Sequence, residues 1–212
     1  MTYLAGQAEI MAGNTAAGQE RFQRAITDYP RAAESYQALV ALVDAGIPVD
    51  EYQRGVVDYY AGAYLPAIEA FRRYLSGAGA EYNTDAHAFL AWSLERSGDV
   101  AGALAELDTL AERDPARAWF ERGELLRRAD QQTEALAAYD EFLKQHADTE
   151  GAAGVAWSAA TLADEMARDD APERYVYLAD SFPLTENAPL ALFRAADLLQ
   201  ASGDDGEATA LR

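Results

Sequence analysis

Few side chains in this sequence are of the kinds that carry chemistry. It has two histidines, His87 and His146, one lysine, Lys144, and no cysteine, set against 36 aspartates and glutamates. Without cysteine there is neither a disulfide nor a thiolate metal site. Asp85 with His87 is half a metal site at best, because residues two apart on a helix point in different directions. No His-x-x-x-His pair completes one. Both histidines therefore read as satisfied or solvated rings, and the expectation is no metal and no cofactor. Glycosidic cleavage needs two carboxylates held at a set separation, which a sequence cannot supply. The acids read instead as solvated helix faces. Asp169-Asp170 and Asp204-Asp205 sit at turns, where aspartate caps the helix that follows. No phosphate-binding glycine loop or nucleophile elbow is present.

The formal charge of the 212 residues is −19. Binding phosphates needs clustered lysine and arginine, so nucleic acid is not expected as a partner. Anionic lipid is disfavoured for the same reason. The acidity reads as solubility and self-repulsion. No stretch approaches the roughly 18 apolar residues of a membrane span. The opening Met1-Thr2-Tyr3-Leu4-Ala5-Gly6 lacks a basic region and an apolar core, and resembles a helix interior behind an initiator Met. The expectation is a piece of something longer.

The elements that position these residues follow from composition and period. Half the residues are apolar, and Ala, Leu, Glu, Arg and Gln are the strong helix formers. A cassette recurs: a small residue, a glycine or aspartate turn, an alanine, an aromatic or leucine, then proline. It reads Gly6, Gly13, Gly18, Phe22, Ala25, Pro30, and again Gly55, Gly62, Ala67, Phe71, Tyr74. The third copy is Ala91, Leu94, Gly98, Ala103, Leu107, Pro115, and the fourth Trp119, Gly123, Leu126, Asp130, Ala135, Tyr139, Phe142. A looser fifth is Ala159, Leu162, Ala171, Tyr175, Leu178, Pro183, and a sixth opens at Leu192, Ala196, Leu199, Gly203, Ala208. From the second copy onward the starts lie 36, 32, 36 and 37 residues apart, whereas the first two are 49 apart. The excess leaves room for one additional helix at about residues 33 to 45.

This cassette resembles the tetratricopeptide repeat, a helix hairpin of about 34 residues. The resemblance implies an all-α fold: a right-handed α-solenoid of about five to six hairpins plus one extra helix, spanning 1–212 as a single repeat domain. Small residues at the eighth and twentieth positions (Gly55 and Ala67, Gly123 and Ala135) are expected to let paired helices approach. Phe71 and Tyr139 are expected to fill the gap to the next hairpin. Gly62, Gly98 and Gly203 are expected to end helices in the left-handed conformation, and Pro30, Pro115 and Pro183 to stop second helices. Leu199 and Ala208, in the last hairpin, are expected to lack a cover, which suggests end-to-end self-association.

Two runs are more specific. One is Asp50-Glu51-Tyr52-Gln53-Arg54-Gly55-Val56-Val57-Asp58-Tyr59-Tyr60-Ala61-Gly62-Ala63-Tyr64 with Ala67-Ile68-Glu69-Ala70-Phe71. The other is Tyr177-Leu178-Ala179-Asp180-Ser181-Phe182-Pro183 with Asn187 to Ala196. Both resemble the helical superhelix that precedes the catalytic domain of bacterial soluble lytic transglycosylases, and similar wording occurs in envelope lipoproteins of the outer-membrane assembly type. The resemblance implies a cell-envelope (periplasmic) location and peptidoglycan or a protein as partner. It implies no activity for this chain. Glu34-Ser35-Tyr36 echoes that family's Glu-Ser motif, but no Gly-Leu-Met-Gln follows, and Glu34 reads as a surface carboxylate. A generic protein–protein scaffold, in envelope or cytoplasm, is the alternative.

In such repeats the first helix of each pair lines the inner curve. The register places Tyr52, Tyr59, Trp92, Arg96, Phe120, Glu124 and Arg127 there as candidate binding residues. Rings stack and arginine forks hold carboxylates, so the set suits a peptide or glycan strand. A lysine-based clamp is not expected, since Lys144 lies outside the first helices.

Overall fold

Three aspartates mark where helices begin. The carboxylates of Asp50, Asp99 and Asp114 accept from the backbone N–H groups of Gln53, Gly102 and Arg117, satisfying donors that a first turn leaves open. In this computed structural model, which describes residues 2–79 and 81–211, the described residues form thirteen helices and no strand. They are α1 (Thr2–Met11), α2 (Thr15–Asp28), α3 (Ala33–Asp44), α4 (Glu51–Tyr60), α5 (Tyr64–Gly77), α6 (Asp85–Arg96), α7 (Val100–Ala111), α8 (Pro115–Arg128), α9 (Gln132–His146), α10 (Ala152–Glu165), α11 (Ala171–Ser181), α12 (Ala188–Ser202) and α13 (Asp205–Ala210). The fold is all-α and built of repeat hairpins, as the cassette predicts. Met1–Arg113 and Asp114–Arg212 form two compact units.

The first unit holds hairpins α1/α2, α4/α5 and α6/α7, with α3 as the additional helix where the spacing leaves room for it. That helix is fixed from both sides of one turn. Ala38, Leu39 and Leu42 are buried against Phe22, Ala25 and Ile26 of α2. The Ser35 hydroxyl meets two carbonyls beyond or near the end of α2, Ala25 O at 2.9 Å and Tyr29 O at 2.7 Å. A serine in a buried position is thereby satisfied. Glu34 beside it is exposed.

The second unit holds α8/α9, α10/α11 and the short pair α12/α13. Its core is made of alanines, among them Ala156, Ala160, Ala191 and Ala195, closed around Tyr175 and Leu178. Leu199 and Ala208 are 8% and 3% exposed, so the expected uncovered end at these two residues is not found. The short α13 folds back far enough for Leu211 to pack on the core.

The turns follow the glycine rule in part. Gly62, Gly98 and Gly203 have φ of 77°, 94° and 95°, the left-handed region that glycine enters without a Cβ penalty. In α8/α9 and α10/α11 the same conformation falls to Asp130 (φ 60°) and Ala167 (φ 52°). Pro30 and Pro183 do follow α2 and α11. Pro115 instead opens α8, next to the Asp114 cap, because a missing N–H is harmless in a first turn. The expected caps at the two aspartate pairs are corrected as well. Asp170 and Asp204 hold the position before a helix, yet neither side chain caps it. Asp170 is drawn to Arg168 and Arg174 instead.

Candidate functional site

The spacing of sixteen residues between a small residue on the first helix and a ring on the second decides how each hairpin closes. A β-carbon on Gly6 would lie 2.6 Å from the Phe22 ring, on Gly55 2.7 Å from Phe71, and on Gly123 2.3 Å from Tyr139. Each ring therefore lies over the glycine of its own hairpin. Phe71 also reaches the next one, stacked on Phe89 at 5.6 Å and 13°. Phe71 thus fills the gap to the next hairpin as expected, while the seat of each ring over its own glycine is an addition of the structure.

Phe89, which the register does not single out, is the hub of a ring cluster in the first unit. Tyr59 lies 5.4 Å from it, Tyr60 6.0 Å, Tyr52 6.3 Å and Trp92 4.9 Å, mostly edge to face. Tyr52 also meets Phe71 and Tyr74, and Tyr59 meets Tyr64 and Trp92. The structure thus brings Tyr52, Tyr59 and Trp92 together across α4 and α6. All three are partly exposed. Arg31 lies over the Tyr60 ring at 4.7 Å. Arg96 stands exposed at the end of α6, 3.8 Å from Glu95. The signal for Phe89 was available as its place two residues before Ala91, shared by Trp157 before Ala159, a column outside the cassette.

In the second unit Glu124 receives the Tyr139 hydroxyl at 2.6 Å and the Arg127 guanidinium at 3.4 Å. Burial, then the bond to Glu124, pushes the Tyr139 phenol pKa up, so it remains a donor. Arg127 leaves nearly half of its side chain in solvent, and Phe120 is 36% exposed one turn before Glu124. The arrangement repeats at Asp164, which accepts from Tyr175 at 3.2 Å and from Arg194 at 2.7 Å.

Two buried polar features lie outside the candidate set. His87 is buried, with Nε2 2.7 Å from the Tyr82 hydroxyl and Nδ1 paired to Glu106. It is the satisfied histidine expected, and it ties the chain before α6 to α7. His146 differs, for its Nε2 is shielded from solvent and finds no partner among the described residues. The second feature is Asp58, 3% exposed and 3.7 Å from Arg54 Nε. Burial raises its pKa to about 6 against the opposing pull of Arg54. Three residues past Gly55, it occupies the column held elsewhere by buried Leu94, Leu126, Leu162 and Leu199. Among the described residues no group of three or more His, Cys, Asp or Glu could hold a metal ion, and no helix is long and apolar enough to cross a membrane.

Residues 117–149, the fourth hairpin from Arg117 to Thr149, match the tetratricopeptide repeat family. This hairpin is a tetratricopeptide repeat. Its neighbours repeat its packing. The C-terminal part of a TPR repeat-containing protein from Cytophaga hutchinsonii superposes with a TM-score of 0.67 at 15% identity, over 91% of this chain and 76% of that one. MamA is similar at a TM-score of 0.54 and 18% identity, over 76% and 85%. PilW, a type IV pilus biogenesis factor, is similar at 0.51 and 15%, over 99% and 88%. At these identities the likeness is one of fold. No curated protein matches the sequence.

Proposed function

We propose that the chain is a non-catalytic tetratricopeptide-type scaffold that holds a protein partner, as helix or extended peptide, on the open faces of its first helices. The observation that carries this reading is the ring cluster around Phe89. Tyr52, Tyr59 and Trp92 are held by neighbouring rings and remain partly exposed. Rigid rings lose little conformational entropy when a guest stacks on them, which is why aromatic residues dominate binding hot spots. In the second unit Phe120 offers the ring and Arg127, steadied by Glu124, the fork for a carboxylate.

The wording of residues 50–71 and 177–196 supports a second reading. Its resemblance to lytic transglycosylase superhelices favours the cell envelope over the cytoplasm and a peptidoglycan strand as the guest. Selection of peptides from a random display library on the whole chain, run beside co-sedimentation with purified sacculi, separates the two. The scaffold reading expects a selected peptide whose affinity falls about tenfold or more in Phe120→Ala or Arg96→Glu, the loss of a hot spot. Retention on sacculi with no selectable peptide would favour the glycan reading and defeat the first.

A further inference from the structure

Two apolar slots flank α11, and neither is lined by a residue of the candidate set. One, of about 320 Å³, lies between α9 and α11 over the methyl floor of Ala156 and Ala159, with Leu143 and Tyr177 as walls. The other, of about 330 Å³, is bounded by Val176, Leu199 and Leu211. Each is near the small end of the range for ligand cavities, about 300–1,000 Å³, room for a side chain or two.

Glu173 lines both slots. It is exposed and pairs with no cation among the described residues. The nearby cation is already committed. Arg174 donates to both Asp140 oxygens, at 2.5 and 3.0 Å, and to Asp170 at 2.9 Å. Asp170 is held in turn by Arg168 at 2.7 Å. An incoming anion would have to displace one of these carboxylates, whereas an incoming cation meets Glu173 free and the Asp140 carboxylate half exposed. A second copy of the chain is a poor occupant, since each copy carries a net charge of −19 and like charges repel.

From this we infer that the two slots astride Glu173 are a docking surface for a basic amphipathic segment of a partner protein. Two of its apolar side chains seat in the slots and a lysine or arginine between them pairs with Glu173. This surface is built from α9 to α13 and does not depend on the faces proposed above for Tyr52, Trp92 or Phe120.

The probe is the synthetic peptide acetyl-(Leu-Lys-Lys-Leu)₃-amide, with acetyl-(Leu-Glu-Glu-Leu)₃-amide as the charge-reversed control. Each is titrated into the whole ¹⁵N-labelled chain at about 0.15 M salt, where the Debye length is about 8 Å and long-range attraction is screened. The expected result is saturable shifts at Glu173, Val176 and Tyr177 with the basic peptide alone. Affinity should fall about tenfold, as for a lost hot spot, in Glu173→Lys, and also in Tyr177→Ala. Glu69→Lys, an exposed reversal in the other unit, should leave it within about twofold, as a surface charge removed from the contact does. Equal loss in Glu173→Lys and Glu69→Lys would reduce the binding to unspecific charge and overturn the proposal. So would shifts confined to other helices, or a dimer of the free chain that Glu173→Lys or Tyr177→Ala dissolves.

Discussion

The Tyr139 ring lies where a side chain on Gly123 would be: a β-carbon there would come within 2.3 Å of it. Alanine in a helix interior normally stabilises by up to about 1 kcal/mol over glycine. Overpacking a filled site costs about 1–3 kcal/mol. The second effect is the larger, so Gly123→Ala should lower stability by about 1–2 kcal/mol in denaturant unfolding. Gly154→Ala on α10, where a β-carbon meets nothing within 4 Å, should not. Equal effects at the two sites would refute the ring-over-glycine closure.

Arg54 and Asp58 occupy the columns that Leu90 and Leu94 fill in the next hairpin. A buried ion pair replaced by apolar residues is often neutral or stabilising by about 1–4 kcal/mol. Arg54→Leu with Asp58→Leu should therefore keep or raise stability at neutral pH. Asp58→Leu alone strands the Arg54 guanidinium and should gain less.

The same residue sets a pH dependence. Asp58 has its folded pKa raised to about 6 by burial, with Arg54, Arg73 and Glu51 as the charged groups acting on it. The folded state then holds a proton that the unfolded chain releases near the ordinary value of 3.8. That contribution is whole below about pH 4 and is lost as pH rises through about 6. The stability of the double leucine variant relative to the native chain should grow across this window, on the order of 3 kcal/mol. A difference that is flat from pH 4 to 7 would contradict the burial of a titrating Asp58.

Ala167 and Asp130 sit at positive φ where the other hairpins place glycine. A left-handed residue with a β-carbon is strained by about 1–2 kcal/mol, partly offset by the flexibility glycine adds to the unfolded chain. Ala167→Gly should raise stability by about 0.5–1 kcal/mol, seen as a higher Tm. A fall would show the turn to be unstrained.

Much of this architecture was legible in the residues, because small side chains and rings in phase leave few ways to pack two helices. The extra helix at 33 to 45, the close approach at Gly55 and the glycine turns all follow from that phase, whereas the seat of Phe71 over Gly55 of its own hairpin does not. What was not legible depends on which of several competing partners a side chain takes in the folded chain. Asp170 reads as a cap by its position but answers to Arg174 and Arg168, whose charge outweighs a backbone N–H. Pro115 reads as a stop, yet the Asp114 cap makes it a start. In the candidate set Tyr52, Tyr59 and Trp92 do converge, while their hub, Phe89, lies outside the columns of the cassette and is revealed by the packing of α6 against α4 and α5.

The scaffold reading is tested most directly by mapping where a selected peptide contacts the chain. Amide shifts of the whole labelled chain, titrated with the tightest peptide from the display selection, would report this residue by residue. The account predicts saturable shifts centred on Tyr52, Tyr59 and Trp92 or on Phe120 and Arg127, weakened by Arg96→Glu or Phe120→Ala. Shifts that leave α4, α6 and α8 untouched would contradict it.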